Sequence, residues 1–467
     1  MKYILIHIFL FSTLIAGEGS SHHGVDGASL SLLYIIPFIG ILLSIAIVPL
    51  VAEKFWHHNF GKISLFWALL FIIPFIYNYS FNLAFYEFLH VILLEYIPFI
   101  VLLLSLYTVG GGICIKGNLV GTPKLNFIIL LIGTILSSWM GTTGSAMLLI
   151  RPLIRANAWR ENKTHVIVFF IFLVANVGGS LTPLGDPPLF LGFLQGVSFF
   201  WTTKALFVPM VIVSILLLFI FYFVDSFYFK KEFDQKPPTS KIDLSIEGKI
   251  NFVFLLGVVS AVLLSGFWNP HLDFTIFGVH LALQNVVRDI ILIVITLLSL
   301  KLTANNVREA NSFTWFPIVE VAKLFAGIFI TIIPAIAILK AGQNGSLAFI
   351  INLVTDQSTK LPINSMYFWL TGILSSFLDN APTYLVFFNT AGGDALELMS
   401  TLETTLLAIS CGAVFMGAMT YIGNAPNFMV KSIAEENNIN MPSFFGYMIW
   451  SVTILVPIFI IISYIYF

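Results

Sequence analysis

Long apolar runs separated by short polar loops dominate this chain. Runs that reach or approach the roughly 20 residues needed to cross a bilayer lie at 32–51, 97–115, 205–224, 286–300, 324–339 and 443–466. They are continuously apolar and not alternating, which predicts helices and not the strands of a membrane barrel. The pattern therefore predicts an all-α polytopic membrane protein.

Five helical crossings are expected in each half of the chain. In the first half they lie at about 29–51, 63–79, 96–115, 164–200 and 204–229, and in the second half at about 250–268, 286–302, 318–341, 401–436 and 443–466. The fourth crossing of each half is broken by glycines, prolines and polar residues. The apolar segments 126–156 and 365–392 are interrupted as well, and each is better explained as a re-entrant hairpin than as a clean span.

The two halves share sequence at a single offset of 238 residues. The letters "ILSS" occur at 135–138 and again at 373–376, and the same offset aligns 173–190 with 411–428 without a gap. One offset for two separate windows indicates an internal duplication, with repeats at 29–229 and 250–467. The identical pairs in the second window are Ala175/Ala413, Gly179/Gly417, Thr182/Thr420, Gly185/Gly423, Pro188/Pro426 and Phe190/Phe428.

An odd number of crossings per repeat predicts that the second copy is inserted upside down relative to the first. Placing the mature N-terminus and the C-terminus outside puts 16 of the 22 basic residues in cytoplasmic loops, including the lysine-rich linker 230–249. That asymmetry follows the positive-inside rule and supports this orientation. The location expected is a bacterial-type inner membrane. Two inverted repeats with interrupted helices are typical of secondary transporters, whose sites lie near the interruptions.

Composition narrows the class of protein further. Only 10% of the residues are charged and 58% are hydrophobic, whereas a soluble domain carries about 25% charged residues. The net charge of −1 and the lack of a basic stripe exclude nucleic acid as an expected partner. Residues 1–19 fit a secretory signal peptide, with an uncleaved anchor as the alternative. The two cysteines lie in apolar segments without metal or redox spacing and are interpreted as packing residues.

The broken crossings carry the motifs "TPLGDPP" and "TYIGNAP". We expect the glycines, Gly185 and Gly423, to end a helix in the left-handed conformation, and Asp186 and Asn424 to occupy N-cap positions. The prolines that follow suit the first turn of a restarting helix. In bilayer hydrocarbon such non-helical backbone survives only where it is buried in protein or lines a wet cavity. The breaks therefore mark either tight packing or a binding site.

The predicted hairpin tips, "SSWMGTTGS" at 137–145 and "SSFLDNAPTY" at 375–384, supply further polar groups. The uncharged side chains that could replace the hydration shell of an ion are those of Thr142, Thr143, Ser145, Asn380 and Thr383. An aspartate inside a membrane segment costs roughly 2.5 to 3.5 kcal/mol at the helix centre and is usually functional. Burial favours the protonated form of a carboxylate, so Asp186 or Asp379 could exchange a proton for a metal cation.

Structural explanations for these groups remain open. Asp186 could be a pure N-cap, and Asp379 could cap the second arm of its hairpin or pair with Lys323 or Lys340. Arg151 and Arg155 are better explained as positive-inside anchors than as ligands of an anion. Glu87 and Glu95 are expected to be solvated or interfacial. No HExxH, GxSxG or phosphate-binding loop occurs in a suitable context, so we do not expect an enzyme.

At these motifs the chain resembles the ion transporter superfamily, which includes arsenite pumps, NhaD-type sodium/proton antiporters, citrate/metal carriers and sodium-coupled dicarboxylate carriers. The stretches "GTTGSAMLLIRPLIRAN", "GGSLTPLGDPPLFLGFL", "LDNAPTYLVFFNTAG" and "GAMTYIGNAPNFMVKSIAEE" are most similar to its bacterial branch of citrate-transporter-like and antiporter-like proteins. The resemblance runs from about residue 30 to the C-terminus. It implies a homodimer with a scaffold and a moving transport domain that works by elevator-like alternating access.

The resemblance also implies which residues line the ion or substrate sites. Dicarboxylate carriers place Ser-Asn-Thr at both hairpin tips, whereas here the tips read Gly-Thr-Thr at 141–143 and Asp-Asn-Ala-Pro-Thr at 379–383. The missing asparagine and the added aspartate favour a cation over a carboxylate substrate. The implied residues are Thr142, Thr143, Asp186, Asn380, Thr383, Thr420 and Asn424, and Thr182 is the counterpart of Thr420.

These observations predict a secondary active transporter that exchanges Na⁺ for H⁺. Asp186 and Asp379 would be the titrating groups, and Asn380 and Asn424 would join them in holding Na⁺. The partners expected are the lipid bilayer, a small ion or organic-anion substrate and a second copy of the chain. No cofactor is expected beyond Na⁺ and H⁺ as transported or coupling ions. The alternative is a cation-coupled carrier of citrate or another organic anion.

Overall fold

The structure, a computed structural model, describes residues 24–117, 119–232 and 245–467. The predicted signal peptide 1–19 and most of the linker 230–249 lie outside these residues. Within the described part, nine helices are long and apolar enough to cross a membrane, or ten if one bent pair counts as a span. The prediction of a mostly helical, multi-pass membrane protein is therefore confirmed.

The helices of the first half begin near residue 36 and end at residue 229. They are α1 (Ile36–Val51), α2 (Glu53–Asn78), α3 (Phe81–Val91), α4 (Ile97–Gly110), α5 (Pro123–Met140), α6 (Thr142–Ala156), α7 (Thr164–Leu173), α8 (Pro187–Leu194) and α9 (Phe199–Phe229). Short 3-10 turns lie at Leu32–Ile35 and Val177–Leu181, and one π-helical turn, Ile92–Tyr96, joins α3 to α4.

The helices of the second half follow a similar order. They are α10 (Ile250–Phe267), α11 (Leu283–Leu302), α12 (Asn305–Ala310), α13 (Phe316–Thr331), α14 (Ile333–Lys340), α15 (Ala348–Leu353), α16 (Asn364–Phe377), α17 (Asn380–Thr390), α18 (Ala395–Met399), α19 (Glu403–Met416), α20 (Ala425–Glu436) and α21 (Phe444–Tyr466). Short 3-10 turns lie at Gly342–Asn344 and Gly417–Met419. The 41° bend between α13 and α14 makes them the bent pair.

Two small antiparallel sheets lie in the connections. Strand β1 (Cys114–Lys116), between α4 and α5, pairs with β2 (Ser245–Glu247), just before α10, and places Cys114 opposite Glu247. Lys116 Nζ lies 2.8 Å from a carboxylate oxygen of Glu247, which adds an ion pair to this sheet. Strands β3 (Asp273–Ile276) and β4 (Val279–Ala282) form a hairpin between α10 and α11.

The buried side chains form two large hydrophobic cores. The first core is built mainly from α5–α7, α9, α16, α17 and α19–α21, which include both hairpins and both broken crossings. The second core is built mainly from α1–α4, α10, α11, α13 and α14. Helix α8 belongs to both, because Leu189 packs in the first core whereas Phe190 and Leu191 pack in the second.

The observed helices do not confirm two expectations, the re-entrant hairpins and an exposed Glu95. Helix α5 has 18 residues and is apolar enough to cross a membrane by itself, so the re-entrant path of the hairpin remains a prediction. The expectation that Glu95 is solvated or interfacial was wrong, because only 8% of it is exposed. It lies on the π-helical turn, which packs against α13 and α8.

Candidate functional site

Both broken crossings follow the same path at positions 238 residues apart. The first passes from the turn Val177–Leu181 through an extended Thr182 to α8, and the second passes from Gly417–Met419 through an extended Thr420 to α20. The residue before each restart, Asp186 or Asn424, is also extended, with φ of −143° and −153°. Each restarting helix has proline in its first turn, where no backbone donor is lost.

The threonines of the breaks hold them against the hairpins. The hydroxyl of Thr182 donates to the carbonyl of Ser138, and that of Thr420 donates to the carbonyl of Ser376. These are again equivalent positions. Each hydroxyl also accepts a hydrogen bond of 3.2 Å from the backbone N–H two residues later. Thr182 and Thr420 therefore position the breaks and are not aimed at the centre of the site.

The prediction that Gly185 and Gly423 take a left-handed conformation was wrong, since neither has a positive φ. Close packing of backbone requires glycine at both places instead. A Cβ atom on Gly185 would lie 2.0 Å from the carbonyl oxygen of Gly179, and one on Gly423 would lie 2.6 Å from that of Gly417. Each break thus folds back so tightly that no side chain fits between its two ends.

Asp186 is the centre of the site, and only 1% of it is exposed. Its Oδ1 accepts hydrogen bonds from Asn424 Nδ2 at 2.9 Å and from Thr142 Oγ1 at 3.3 Å. Its Oδ2 accepts one from Asn380 Nδ2 at 2.6 Å. Although Asp186 occupies the N-cap position of α8, its side chain forms no capping hydrogen bond. The explanation of Asp186 as a pure N-cap does not hold.

These contacts bring all four interruptions together at one carboxylate. Thr142 belongs to the first hairpin tip, Asn380 to the second tip and Asn424 to the second break. Helices α6 and α17 begin at Thr142 and Asn380, and α8 and α20 begin directly after Asp186 and Asn424. Helix N-termini carry partial positive charge, so four of them stabilise a carboxylate at this point in the protein interior.

The amide groups around Asp186 have unused acceptors. Asn380 Oδ1 and Asn424 Oδ1 are buried and have no hydrogen-bond partner within the described residues. Buried polar atoms without a partner are rare and call for an explanation, such as an ion or a water. Carboxylate and amide oxygens are the ligands that hard cations take. Both amides now turn their Nδ2 atoms to Asp186, and rotation of each amide group would bring its oxygen beside the carboxylate to bind a small cation.

Three adjoining cavities surround this centre. One of about 80 Å³ is lined by Thr142, Thr143 and Asp186. A second, of about 130 Å³, is lined by Asp379 and Asn424 among others. A third, of about 450 Å³, adjoins both, because Val321 and Ala425 line all three. The small size of the first cavity suits an ion, and the third provides an approach to it.

The remaining predicted residues of the second hairpin have local roles. Asp379 Oδ1 accepts a hydrogen bond of 3.0 Å from Ala381 N and so caps α17, as the structural alternative proposed. In the part of the chain described, it forms no ion pair with Lys323 or Lys340. Thr383 Oγ1 donates to the carbonyl of Asp379 at 2.9 Å. Asp379 thus faces the second cavity without contacting Asp186.

The remaining residues of the first tip differ in their surroundings. Thr143 is partly exposed to the cavity that Asp186 lines. Ser145, further along α6, is fully buried, and its hydroxyl has no partner among the described residues. Of the other nine predicted residues, Thr142, Asn380 and Asn424 form direct hydrogen bonds to Asp186.

Two asparagines of the site were missed by sequence reasoning. Asn176 Nδ2 donates to Asn427 Oδ1 at 2.7 Å, and Asn424 Nδ2 lies 3.3 Å from Asn176 Oδ1. Asn427 Nδ2 in turn donates to the carbonyls of Gly417 and Thr420. These bonds connect the two breaks behind Asp186. Both are amides within apolar segments, which could have marked them as candidates. They were missed because neither has a polar counterpart at the 238-residue offset.

Arg151, interpreted from the sequence as a positive-inside anchor, lines one of the three cavities. It lines the cavity of about 450 Å³ together with Ser312, Thr314 and Glu436. Its Nη1 atom is buried and has no hydrogen-bond partner within the described residues. Arg155, in contrast, donates to the carbonyl of Ile115 at 2.6 Å and is occupied in holding β1. An unpartnered guanidinium in a polar cavity can bind an anion.

Comparison with known proteins gives a family but no close relative. No curated protein matches the chain. A family model described as "Putative citrate transport" matches residues 27–467, which cover both broken crossings, both hairpins and the residues around Asp186. The chain therefore belongs to this citrate-transporter-like family of membrane transport proteins.

Proposed function

We propose that this protein is a secondary active transporter that exchanges Na⁺ for H⁺, with Asp186 as the carboxylate that holds either ion. The observation that carries the proposal is the convergence of Thr142, Asn380 and Asn424 on a single buried carboxylate. With Na⁺ bound, the carboxylate and amide oxygens would serve as ligands. With H⁺ bound, the carboxyl group would donate to an amide oxygen, so that either ion neutralises the same charge.

The two hydrophobic cores support alternating access of the elevator type. The first core contains most of the buried apolar residues of the hairpins and breaks and would be the moving body, and the second would be the scaffold. The shared positions of helix starts and hydrogen bonds, 238 residues apart, support the two inverted repeats and the re-entrant hairpins. The homodimer and the inner-membrane orientation rest on the resemblance and on the distribution of basic residues. In that orientation the cavity of about 450 Å³ opens toward the cytoplasm.

Cation-coupled transport of citrate or another organic anion is the second candidate. The description of the family favours it, and so does the unpartnered guanidinium of Arg151 in the largest of the three adjoining cavities. In this case Asp186 would hold the coupling cation, and the anion would bind nearer to Arg151. The acidic centre itself disfavours an anion, because like charges repel strongly in a buried site.

Flux in proteoliposomes distinguishes the two candidates. Purified protein is reconstituted under an imposed pH gradient, and Na⁺, Li⁺ and labelled citrate are offered in turn. Antiport predicts proton movement driven by Na⁺ that is lost in Asp186→Asn and kept in Asp394→Asn. Asp394 is a matched control, because it is an exposed N-cap whose role asparagine can take. Citrate uptake without Na⁺-driven proton movement would overturn antiport, and its loss in Arg151→Ala would support the second candidate.

A further inference from the structure

A second buried carboxylate lies on the opposite side of the protein from the cavity of about 450 Å³. Glu95 is 8% exposed and sits in the π-helical turn Ile92–Tyr96, inside the long apolar segment Phe81–Gly110. Single π-turns within helices occur frequently at functional sites, and ionisable residues in membrane segments are expensive unless they have a function. The proposed exchange at Asp186 makes no use of Glu95.

Glu95 lines a polar cavity of about 430 Å³ together with Asp26, Glu87, His90 and Lys340. This cavity adjoins one end of the segment Phe81–Gly110 and the end of α14. The cavity that leads to Asp186 instead contains Tyr107 and Phe316, which lie at the other ends of the same two membrane segments. The two cavities therefore open toward opposite faces of the membrane.

The hydrogen bonds of Glu95 leave one oxygen free. Its Oε1 accepts from Gln195 Nε2 at 3.2 Å, whereas its Oε2 is buried without a partner among the described residues. Lys340 lines the same cavity but forms no ion pair with Glu95 in the described part of the chain. A buried carboxylate oxygen with no donor indicates a missing ligand of positive charge, such as a cation or a proton.

Helix α8 connects this carboxylate to the centre of the site. Asp186 precedes its first residue, and Gln195 is its C-cap. Nine residues at 1.5 Å each separate the two ends by roughly 13 Å. The C-terminal end of a helix carries partial negative charge, which favours a cation next to it. Asp186 and Glu95 thus lie at opposite ends of one short helix.

We infer that Glu95 is a second Na⁺-binding carboxylate, placed where the cation enters or leaves on the face opposite the large cavity. The inference deepens the proposed exchange at Asp186, although the site at Glu95 would bind Na⁺ whatever the transported partner ion is. Gln195 holds one carboxylate oxygen, the other has no partner among the described residues, and the side chain lines the cavity. Glu87 and Asp26 also line this cavity, but Lys340 offsets part of their charge, so the proposed site depends on Glu95 and not on the other two carboxylates.

Thermal stability measures this binding without transport. A ligand that binds only the folded state raises the melting temperature with its concentration. We therefore compare full-length purified protein in NaCl with the same protein in choline chloride at equal ionic strength. The variants are Asp186→Asn, Glu95→Gln and the double variant, with Glu87→Gln as a matched control in the same cavity. Glutamine at position 95 keeps the oxygen that accepts from Gln195 and removes the charge.

The expected result is that each single variant loses part of the Na⁺-specific shift, the double variant loses all of it, and Glu87→Gln behaves as wild type. Glu95→Asp, which keeps the charge on a shorter side chain, should need at least threefold more Na⁺ for the same shift. The inference is overturned if Asp186→Asn alone abolishes the shift, or if Glu95→Gln changes nothing in the Asp186→Asn background. If the Na⁺-specific shift in melting temperature is unchanged in Asp186→Asn and disappears in Glu95→Gln, the proposed function is contradicted and the site at Glu95 is supported.

Discussion

The two breaks follow the same backbone path but differ in the side chain before the restarting helix, which is charged in one break and neutral in the other. Both use a threonine bound to a hairpin carbonyl, a glycine pressed against the preceding turn and a proline in the first turn of the next helix. The first break ends in Asp186, whereas the second ends in Asn424, which donates to that carboxylate. The comparison shows that the duplicated residues build the framework, and the residue that is not duplicated supplies the charge.

Asp186→Asn should have the largest effect. It removes the charge but preserves the shape, so we expect Na⁺-driven proton flux to fall by at least about 100-fold, which corresponds to about 2.7 kcal/mol. Flux in proteoliposomes measures the change, with Asp394→Asn as the control. A variant that keeps more than a tenth of the wild-type flux would show that Asp186 is not the exchanging group.

Moving the carboxylate tests the equivalence of the two breaks directly. Asn424→Asp alone places a second carboxylate beside Asp186, and because two like charges cannot both ionise at this distance, Na⁺-driven flux should be lost. The double variant Asp186→Asn/Asn424→Asp restores a single charge on the other break. It should recover part of the flux that Asp186→Asn loses. No recovery would mean that the surroundings of the two positions are not interchangeable.

The glycines should give the next effect, on stability. A Cβ atom at position 185 would lie 2.0 Å from a backbone oxygen, and one at position 423 would lie 2.6 Å from another. Backbone cannot yield as a side chain can, so Gly185→Ala should destabilise the protein by about 3 kcal/mol or more, and Gly423→Ala by less. Melting temperature in detergent ranks the two, with Gly266→Ala as a tolerated control, because a Cβ atom there would lie no closer than 3.4 Å to a neighbouring side chain. The opposite ranking would refute the argument from close packing.

The threonines should give smaller and nearly equal effects. Thr182→Val and Thr420→Val each leave a buried carbonyl without its donor, which costs about 1 to 3 kcal/mol. Because the two hydrogen bonds occupy equivalent positions, the losses of melting temperature should agree within the error of the measurement. A clear difference would show that one break is held by its surroundings more than by its threonine.

Asp379→Asn should give the smallest effect of all. Its side chain caps α17, a role that asparagine performs nearly as well, and it lines the cavity next to Asn424 without touching Asp186. The Na⁺ concentration at half-maximal flux should rise by less than about tenfold, or 1.4 kcal/mol. A loss as large as that of Asp186→Asn would make Asp379 an equal partner in the exchange.

Much of the framework was visible in the sequence, because helix breaks follow local rules. The glycine, aspartate or asparagine, and proline of each motif fixed where α8 and α20 begin. The reason for the glycines was not predictable, since a close approach between Gly185 and Gly179 is a property of the folded chain and not of the motif. The resemblance placed Asn380 and Asp186 in one site, but the direct hydrogen bond between them, across 194 residues, is likewise a property of the folded chain.

Burial was harder to predict than position. Glu95 has the sequence context of an interfacial residue, and only the packing of its π-helical turn against α13 and α8 shows that it is covered. Asn176 and Asn427 escaped notice because the comparison of repeats selects what the copies share. Groups that connect the copies need not be shared, so that test could not find them.

The position of helix α8 between the two hydrophobic cores affects the proposed elevator motion. Its neighbouring side chains Leu189 and Phe190 belong to different hydrophobic cores, as do Tyr384 and Leu385 of α17, so any sliding of one core past the other would change the contacts of these two helices. Apolar contacts have no preferred direction, and a surface made of them can slip without breaking a fixed pattern of bonds. The hydrogen bond between Gln195 and Glu95 would have to break in the proposed elevator motion, so it would favour the arrangement of α8 that the structure describes.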